Sequence, residues 1–222
     1  NDTNKDRDKK LFKSMIAMIE FIDNRKLDKN YYFGTDNFEY IWEKLIDKIF
    51  GITNKDDYFP RAVWVERDGS NKGTETHALM PDTIMIYNDK LYILDAKYYR
   101  YGDTHKPEHL PDSSSINKQI TYGEYISSLK NPKDPSKQLV DINSLFNAFL
   151  MPYDSTKNLF SSNGKFVNVA EATGKWRTNT KLYEKIQGIV VDVRYIMHNY
   201  AGEHDEDKKL LSESIEQYIL SH

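Results

Sequence analysis

The sequence contains no cysteine among its 222 residues. This absence excludes disulfide bonds and zinc sites built on thiolates, and it suits a reducing cytoplasm. The sequence also lacks an apolar run of about 18 residues and lacks a signal-peptide pattern, so nothing in it indicates a membrane or secretory route. We therefore expect a cytoplasmic protein with no membrane partner.

A strong excess of charge of either sign is also missing. Lysine and arginine number 31 against 34 aspartates and glutamates, which gives a formal net charge of −3. Proteins that coat DNA without specificity usually carry a basic excess, because their cations replace the counterions of the phosphates. The charge balance therefore argues against a general DNA-coating role, but it is compatible with an acidic metal site that acts on DNA.

The organisation of the chain indicates one main domain with a small appendage. Apolar residues at helical spacing predict a helix over residues 11–22 and a second one, capped within residues 35–37, over residues 38–49. We assign residues 1–30 to an N-terminal helical segment and residues 31–222 to the main domain. Because the first residue is Asn1 rather than Met, we expect the chain to be a fragment of a longer protein.

Beyond the second helix the pattern changes to strands alternating with helices. Strand-forming residues predict strands over residues 62–66, 83–87, 91–96, 144–152, 165–170 and 186–193. Helical spacing predicts helices over residues 117–129 and 206–220, and residues 99–115 have the composition of a long loop. This order predicts an α/β fold with a central mixed sheet flanked by helices.

Two carboxylates and one ammonium group stand out at the ends of two predicted strands. Asp82 follows Pro81 at the start of one strand, and Asp95 and Lys97 lie at the end of the next. The segment between them has hairpin length, so both acids return to the same end of the sheet. Asp95 and Lys97 are two residues apart on a strand and therefore project to the same face.

This set of groups suits hydrolysis of a phosphodiester. Oxygen ligands suit Mg²⁺, which accepts one or two protein carboxylates and keeps several waters. Asp82 and Asp95 are the candidate ligands, with the backbone carbonyl of Ala96 as a third oxygen, and Mn²⁺ is expected to substitute for Mg²⁺. Lys97 is the candidate for stabilising negative charge on the phosphate and for deprotonating or orienting the attacking water.

A purely structural interpretation competes with this one, because short patterns of this kind also arise by chance and charged residues often form surface ion pairs. The flanking strand favours a functional site. Leu91-Tyr92-Ile93-Leu94 is almost entirely apolar, which is typical of a strand buried on both faces. An Asp and a Lys at the end of such a strand are costly to bury unless they are paired or bound to a metal.

The pair Pro81-Asp82 followed by Asp95-Ala96-Lys97 resembles the signature of the PD-(D/E)XK nuclease superfamily, which includes many type II restriction endonucleases. Four segments resemble the LlaJI-like group more narrowly: Phe38-x-x-x-Trp42-Glu43-Lys44-Leu45, Leu94-Asp95-Ala96-Lys97-Tyr98-Tyr99, Lys118-Gln119-x-x-Tyr122 and Gly188-Ile189-Val190-Val191-Asp192. The resemblance implies a restriction-endonuclease-like core, double-stranded DNA as substrate and a bacterial source.

The resemblance also implies roles for residues outside the motif. An acidic residue on the helix before the sheet often completes the metal site, and Glu43 is the best match, although a solvent-facing helix charge explains it equally well. Gln119 and Tyr122 match positions that touch the site or the DNA backbone, and the polar face of an ordinary helix explains them almost as well.

One loop is the best candidate for a further DNA contact. The loop contains three basic residues, one tryptophan and no acidic residue, in the order Gly174-Lys175-Trp176-Arg177-Thr178-Asn179-Thr180-Lys181. Side chains of these types grip phosphates or read base edges. The predicted DNA contacts are Lys175, Trp176, Arg177, Asn179 and Lys181, and a solvated hairpin loop is the competing interpretation.

Together these features predict a Mg²⁺-dependent DNA endonuclease of restriction type that leaves a 5′-phosphate and acts as a homodimer or a transient dimer on DNA. Three alternatives remain at this point. The chain is a nuclease module of a larger type IIS or NTP-dependent, modification-directed system with a separate specificity domain or subunit; it is a DNA-binding module of the same fold without catalysis; or it is a structural protein with a surface ion-pair cluster.

Overall fold

The computed structural model describes residues 37–68, 73–75, 77–157, 160 and 164–219. These ranges contain nine strands: β1 (Val63–Trp64), β2 (Thr74–Glu75), β3 (Thr83–Tyr87), β4 (Lys90–Ala96), β5 (Lys130–Asn131), β6 (Asp134–Gln138), β7 (Leu145–Tyr153), β8 (Phe166–Ala172) and β9 (Ile186–Asp192). Five of them form the central sheet in the order β3-β4-β7-β9-β8, while β1 pairs with β2 and β5 with β6.

The central sheet is mixed. β4, β7 and β9 run parallel to one another, and the outer strands β3 and β8 run antiparallel to the strands beside them. The hairpin between β3 and β4 closes through Asn88 and Asp89, both of which have positive φ angles, as a tight turn between twisted strands requires. The three inner strands are apolar because they are buried on both faces.

Five helices accompany the sheet in these ranges: α1 (Phe38–Phe50), α2 (Tyr101–Thr104), α3 (Ser113–Ser128), α4 (Val193–Asn199) and α5 (Asp205–Ile219). α3 packs on one face of β4, where its Tyr122 and Ile126 join the core around Ile93. α5 is anchored to the opposite face, because the Tyr92 hydroxyl donates to Glu216. None of the helices in the described ranges is long and apolar enough to cross a membrane.

The helix α1 is fixed to the sheet by a buried hydrogen bond. Trp42 Nε1 donates to the backbone carbonyl of Leu150 at 3.0 Å. The same carbonyl accepts from the backbone N–H of Lys97 at 2.9 Å. Because both donors meet at one carbonyl, the residue that follows Trp42 on α1 is held beside the end of β4.

Close packing of α3 depends on the absence of a side chain at Gly123. A Cβ atom there would collide with the ring and Cβ atoms of Tyr183, which is fully buried. Glycine weakens a helix interior, and here it allows α3 to approach the 3₁₀ turn Leu182–Glu184. This approach seats the neighbouring Tyr122 over the end of β4.

The predicted fold class is confirmed: the chain is an α/β protein with a central mixed sheet flanked by helices. The predicted second helix, both strands of the β3–β4 hairpin and the strands β7, β8 and β9 are present with bounds shifted by up to two residues. The predicted helix over residues 11–22 lies outside the described residues. The division into residues 1–30 and 31–222 stays a prediction.

Two predicted boundaries are wrong. Residues 99–115 are not one loop, because α2, a 3₁₀ turn and the first turn of α3 fall within them. α3 begins early because the carboxylate of Asp112 accepts the backbone N–H of Ser115 and so caps a run of three serines. After this helix β5 and β6 pair as a small hairpin, in a stretch where no strand was predicted.

Candidate active site

Asp82, Asp95 and Lys97 lie together at one end of the central sheet. Thr83 pairs with Leu94 across the β3–β4 hairpin, which places Asp82 opposite Asp95. Asp95 is only 2% exposed, and its Oδ2 atom lies 2.5 Å from Lys97 Nζ. The structure thus brings together the three residues that the sequence pattern singles out, and their roles stay predictions.

The backbone of Ala96 links the two strands at this point. Its N–H donates to Asp82 Oδ2 at 2.9 Å, so one oxygen of this carboxylate is held in place. In an extended strand the N–H and C=O of one residue point to the same side. The Ala96 carbonyl therefore lies on the side of Asp82, as a backbone ligand of a shared metal would need to.

Glu43 is brought to the site by α1. It follows Trp42, whose ring nitrogen is fixed to Leu150 beside the end of β4. Its carboxylate is near enough to contribute to the electrostatic environment of Asp82, whose pKa it helps to raise. The structure therefore places a third acidic group near the pair, partly exposed rather than buried.

The Asp82 carboxyl is poised between its protonated and ionised forms. Burial is the largest cause, followed by repulsion from Asp95 and from Glu43, and together they raise the pKa of Asp82 to about 7. The Lys97 ammonium and the Ala96 N–H oppose this rise without cancelling it. A carboxyl with this pKa gains strongly from a bound cation, which favours its ionised form.

The Lys97 ammonium is stabilised in its charged form. Burial lowers the pKa of Lys97, but Asp95 and then Asp82 more than offset this effect, so that the pKa is raised above its ordinary value. Lys97 is therefore a cation at neutral pH. In this environment it supplies positive charge and hydrogen-bond donors rather than a general base.

The donor set fits a hard divalent cation. Two adjacent carboxylates and one backbone carbonyl are the oxygen ligands that Mg²⁺ combines with water. In the described part of the chain, no group of three His, Cys, Asp or Glu side chains is close enough to hold a metal by itself. The arrangement therefore suits Asp82 and Asp95 as the protein carboxylates, and a direct bond from Glu43 to the metal stays a prediction.

The structure does not bring Gln119 to the surface. Gln119 is 1% exposed, and neither polar atom of its side-chain amide has a hydrogen-bond partner among the described residues. Tyr122 is also buried; its hydroxyl donates to the Met80 carbonyl at 3.0 Å, two residues before Asp82. In this conformation neither side chain can touch DNA directly, and Tyr122 instead supports the segment that carries Asp82.

The candidate DNA-binding loop connects β8 to β9 and packs against α3. Arg177 pairs with Glu124 and Glu184, Lys181 Nζ donates to Tyr183 at 3.0 Å, and the Asn179 amide donates to the Gly174 carbonyl at 3.2 Å. These three side chains stabilise the loop. Lys175 is exposed and Trp176 is 58% exposed, and neither takes part in these contacts, so they are the predicted residues best placed to meet a ligand.

Sequence reasoning gave no role to three charged residues near the site. Lys118 on α3 is exposed, lies over the Tyr122 ring and is near enough to Lys97 to oppose the rise in its pKa. Its spacing of four residues from Tyr122 is the sequence signal that was available. Asp47 contacts Thr83 across 36 residues of chain and Lys55 contacts Asp82 across 27, which no local pattern reveals.

A comparison with family models supplies the assignment. The model of the LlaJI restriction endonuclease family matches residues 1–172. The chain belongs to this family. A search of curated proteins finds no match.

The matched LlaJI region contains α1, the β3–β4 hairpin and α3, and hence every residue of the cluster around Asp82. It ends at Ala172, before the loop that carries Lys175 and Trp176. Membership of a restriction endonuclease family supports nuclease function and DNA binding in general terms.

The raised pKa of Asp82 predicts how stability depends on pH. In the unfolded chain this carboxyl ionises near pH 4, whereas in the folded protein it holds its proton up to about pH 7. Because the folded state binds the proton more tightly, the contribution of Asp82 to stability is present at low pH and is lost as the pH rises from about 4 to 7. We expect the free energy of unfolding of metal-free protein, measured with urea in EDTA, to fall across this window.

Asp82→Asn serves as the control, since it keeps the shape and cannot ionise. The difference in the free energy of unfolding between wild type and Asp82→Asn should change steadily between about pH 4 and 7, and added Mg²⁺ should stabilise the wild type more at the higher pH. Parallel stability curves for the two proteins would show that Asp82 has an ordinary pKa.

Proposed function

We propose that this chain is a Mg²⁺-dependent type II DNA endonuclease of the PD-(D/E)XK kind, which hydrolyses phosphodiester bonds and leaves 5′-phosphates. The observation that carries the proposal is the meeting of Asp82, Asp95 and Lys97 at one end of the sheet, with Glu43 beside them. Membership of the LlaJI family supports the nuclease part of it.

Asp82 and Asp95 would hold Mg²⁺ together with the Ala96 carbonyl. The cation would polarise the scissile phosphate and acidify a water molecule next to it. Asp82 must ionise to bind it, and the mutual repulsion of Asp82, Asp95 and Glu43 favours any arrangement that places positive charge between them. Glu43 would bind or orient water from its position on α1.

Lys97 would act on the phosphate itself. Its ammonium is held against Asp95 and stays protonated at neutral pH. As water attacks phosphorus in line and the bond to the 3′ oxygen breaks, negative charge grows on the phosphoryl oxygens, and a fixed ammonium stabilises that charge. The water proton passes to solvent, the 3′ oxygen takes up a proton, and the products are a 5′-phosphate and a 3′-hydroxyl.

Double-stranded DNA would lie across this end of the sheet. The exposed ammonium of Lys118 is suited to a backbone phosphate near the site, and Lys175 and Trp176 offer a charged and an aromatic contact from the β8–β9 loop. Cutting both strands requires two active sites, so we propose that the enzyme acts as a homodimer or as a transient dimer on DNA.

Cleavage of plasmid DNA tests the proposal. The full chain is incubated with modified and unmodified supercoiled plasmids in Mg²⁺, beside Asp82→Ala and Lys97→Ala. Each substitution should lower the cleavage rate by at least about 100-fold, because removal of one electrostatic catalytic group costs on that order. The ends should carry a 5′-phosphate, which ligation without kinase treatment detects.

Asp103→Ala, which removes an exposed carboxylate on α2, should cut at the wild-type rate. Failure of the wild type to cut any of these DNAs would reject the enzyme and leave a DNA-binding module of the same fold. Equal cutting by wild type and Asp82→Ala would reject this active site while keeping the activity.

The loop contact has its own test. Replacing Lys175 and Trp176 together with alanine should raise the dissociation constant for a DNA duplex about tenfold, because it removes one cation that can contact a phosphate and one aromatic contact beside it. Fluorescence anisotropy in Ca²⁺ or EDTA measures binding without cleavage. Lys157→Ala removes an exposed lysine outside the loop and should bind like the wild type; the same affinity in all three proteins would remove the loop from the DNA interface.

A further inference from the structure

The outer edge of β3 is closed by the segment that follows α1. β3 is the first strand of the sheet, so its outward backbone groups have no neighbouring strand. The Ile84 carbonyl accepts from the backbone N–H of Ile52 at 2.9 Å, and the Asp82 carbonyl accepts from Lys55 Nζ at 2.6 Å. Carbonyls two residues apart lie on the same edge of a strand. Residues 51–55 therefore cover the edge of β3 to which a further strand could otherwise pair.

The Lys55 ammonium is itself held by α1. It lies 2.7 Å from Asp47 Oδ1, and the same oxygen accepts from the Thr83 hydroxyl at 3.2 Å. Lys55 and Asp47 are both partly buried, and Thr83 is fully buried. A partly buried ion pair with several contacts fixes a geometry better than an exposed one, because its side chains have less freedom to move.

This network joins the two elements that carry the acidic groups. Asp47 lies four residues after Glu43 on α1, and Lys55 and Thr83 flank the backbone of Asp82. The Asp82 backbone is therefore fastened at its own carbonyl by Lys55, and its side chain is fastened by the Ala96 N–H.

We propose that Asp47 and Lys55 are positioning residues for the metal site: Lys55, anchored by Asp47, sets the place of the Asp82 carboxylate relative to Asp95 and Glu43 and thereby sets the affinity for the divalent cation. This inference rests on the proposed function, since it takes Asp82 as a metal ligand. Residues that orient metal ligands from outside typically change the metal affinity or the activity by about 10–100-fold when removed.

Electrostatics and positioning predict opposite outcomes for the loss of Lys55. Lys55 is a cation in contact with the Asp82 carbonyl, so on charge alone its removal should strengthen the binding of a divalent cation. If Lys55 positions Asp82, its removal should weaken that binding. The direction of the change in affinity for the divalent cation therefore distinguishes a positioning role of Lys55 from a purely electrostatic one.

The test is Mn²⁺ binding by the full chain, measured from free Mn²⁺ by electron paramagnetic resonance, in wild type, Lys55→Met and Lys90→Met. Lys90 is the matched control: it is a partly buried lysine 2.5 Å from Glu216, at the other end of the same hairpin. Lys55→Met should raise the Mn²⁺ dissociation constant about tenfold. Lys90→Met should leave it unchanged, with a comparable loss of stability in urea. Plasmid cleavage should show a lower kcat for Lys55→Met with the KM for DNA unchanged.

Mn²⁺ binding by Lys55→Met that is as tight as in Lys90→Met, or tighter, overturns the positioning role. If Lys55→Met does not fold, Lys55→Gln, which is shorter and uncharged, decides on the same criterion. Wild type and Lys90→Met that cut DNA and bind Mn²⁺ keep the proposed function whatever Lys55 does. A wild type that neither binds Mn²⁺ nor cuts DNA rejects the proposed function and the positioning role together.

Discussion

Repulsion between carboxylates at one end of the sheet is the constraint on which this site depends. Asp82 and Asp95 face each other across the end of the β3–β4 hairpin, Glu43 adds a third negative charge, and the Lys97 ammonium contacts Asp95. Burial of such a group is unfavourable without positive charge to balance it. Burial, and after it this repulsion, raises the pKa of Asp82; the same carboxylates raise the pKa of Lys97 and favour a divalent cation beside them.

The rest of the fold holds the charges in place against that repulsion. Trp42 fixes α1 to the Leu150 carbonyl, which lies beside Lys97, while Tyr122 on α3 supports the chain just before Asp82. Each of these contacts is a hydrogen bond from a buried or partly buried group to a backbone carbonyl. These contacts therefore hold the acids close together at this end of the sheet.

The features of the fold and of the site that depend on residues close together in the sequence were predictable from it. The hairpin was predictable from Asn88 and Asp89 between two strand-like runs, and the same face for Asp95 and Lys97 follows from the two-residue period of a strand. The approach of Glu43 was suggested only by resemblance, because it depends on Trp42 reaching Leu150 across 108 residues of chain.

The surroundings of some side chains were not predictable from the sequence, because distant elements supply them. Gln119 is a polar residue of the kind found on the exposed face of a helix. It is nevertheless buried, because α3 lies close to Tyr183. Arg177 looks like a free basic residue in a loop, but Glu124 and Glu184 neutralise it from α3 and the turn before β9. Lys55 gave no signal, because its partner just before β3 is the backbone carbonyl of Asp82.

An anomalous diffraction map of a crystal of the full chain soaked in Mn²⁺ tests directly whether Asp82 and Asp95 hold a divalent cation. We predict one strong peak bonded to carboxylate oxygens of Asp82 and Asp95 and to the Ala96 carbonyl, with Lys97 beside it and no peak in crystals of Asp82→Ala. Mn²⁺ bound only elsewhere, or a site that stays unchanged in Asp82→Ala, would contradict it.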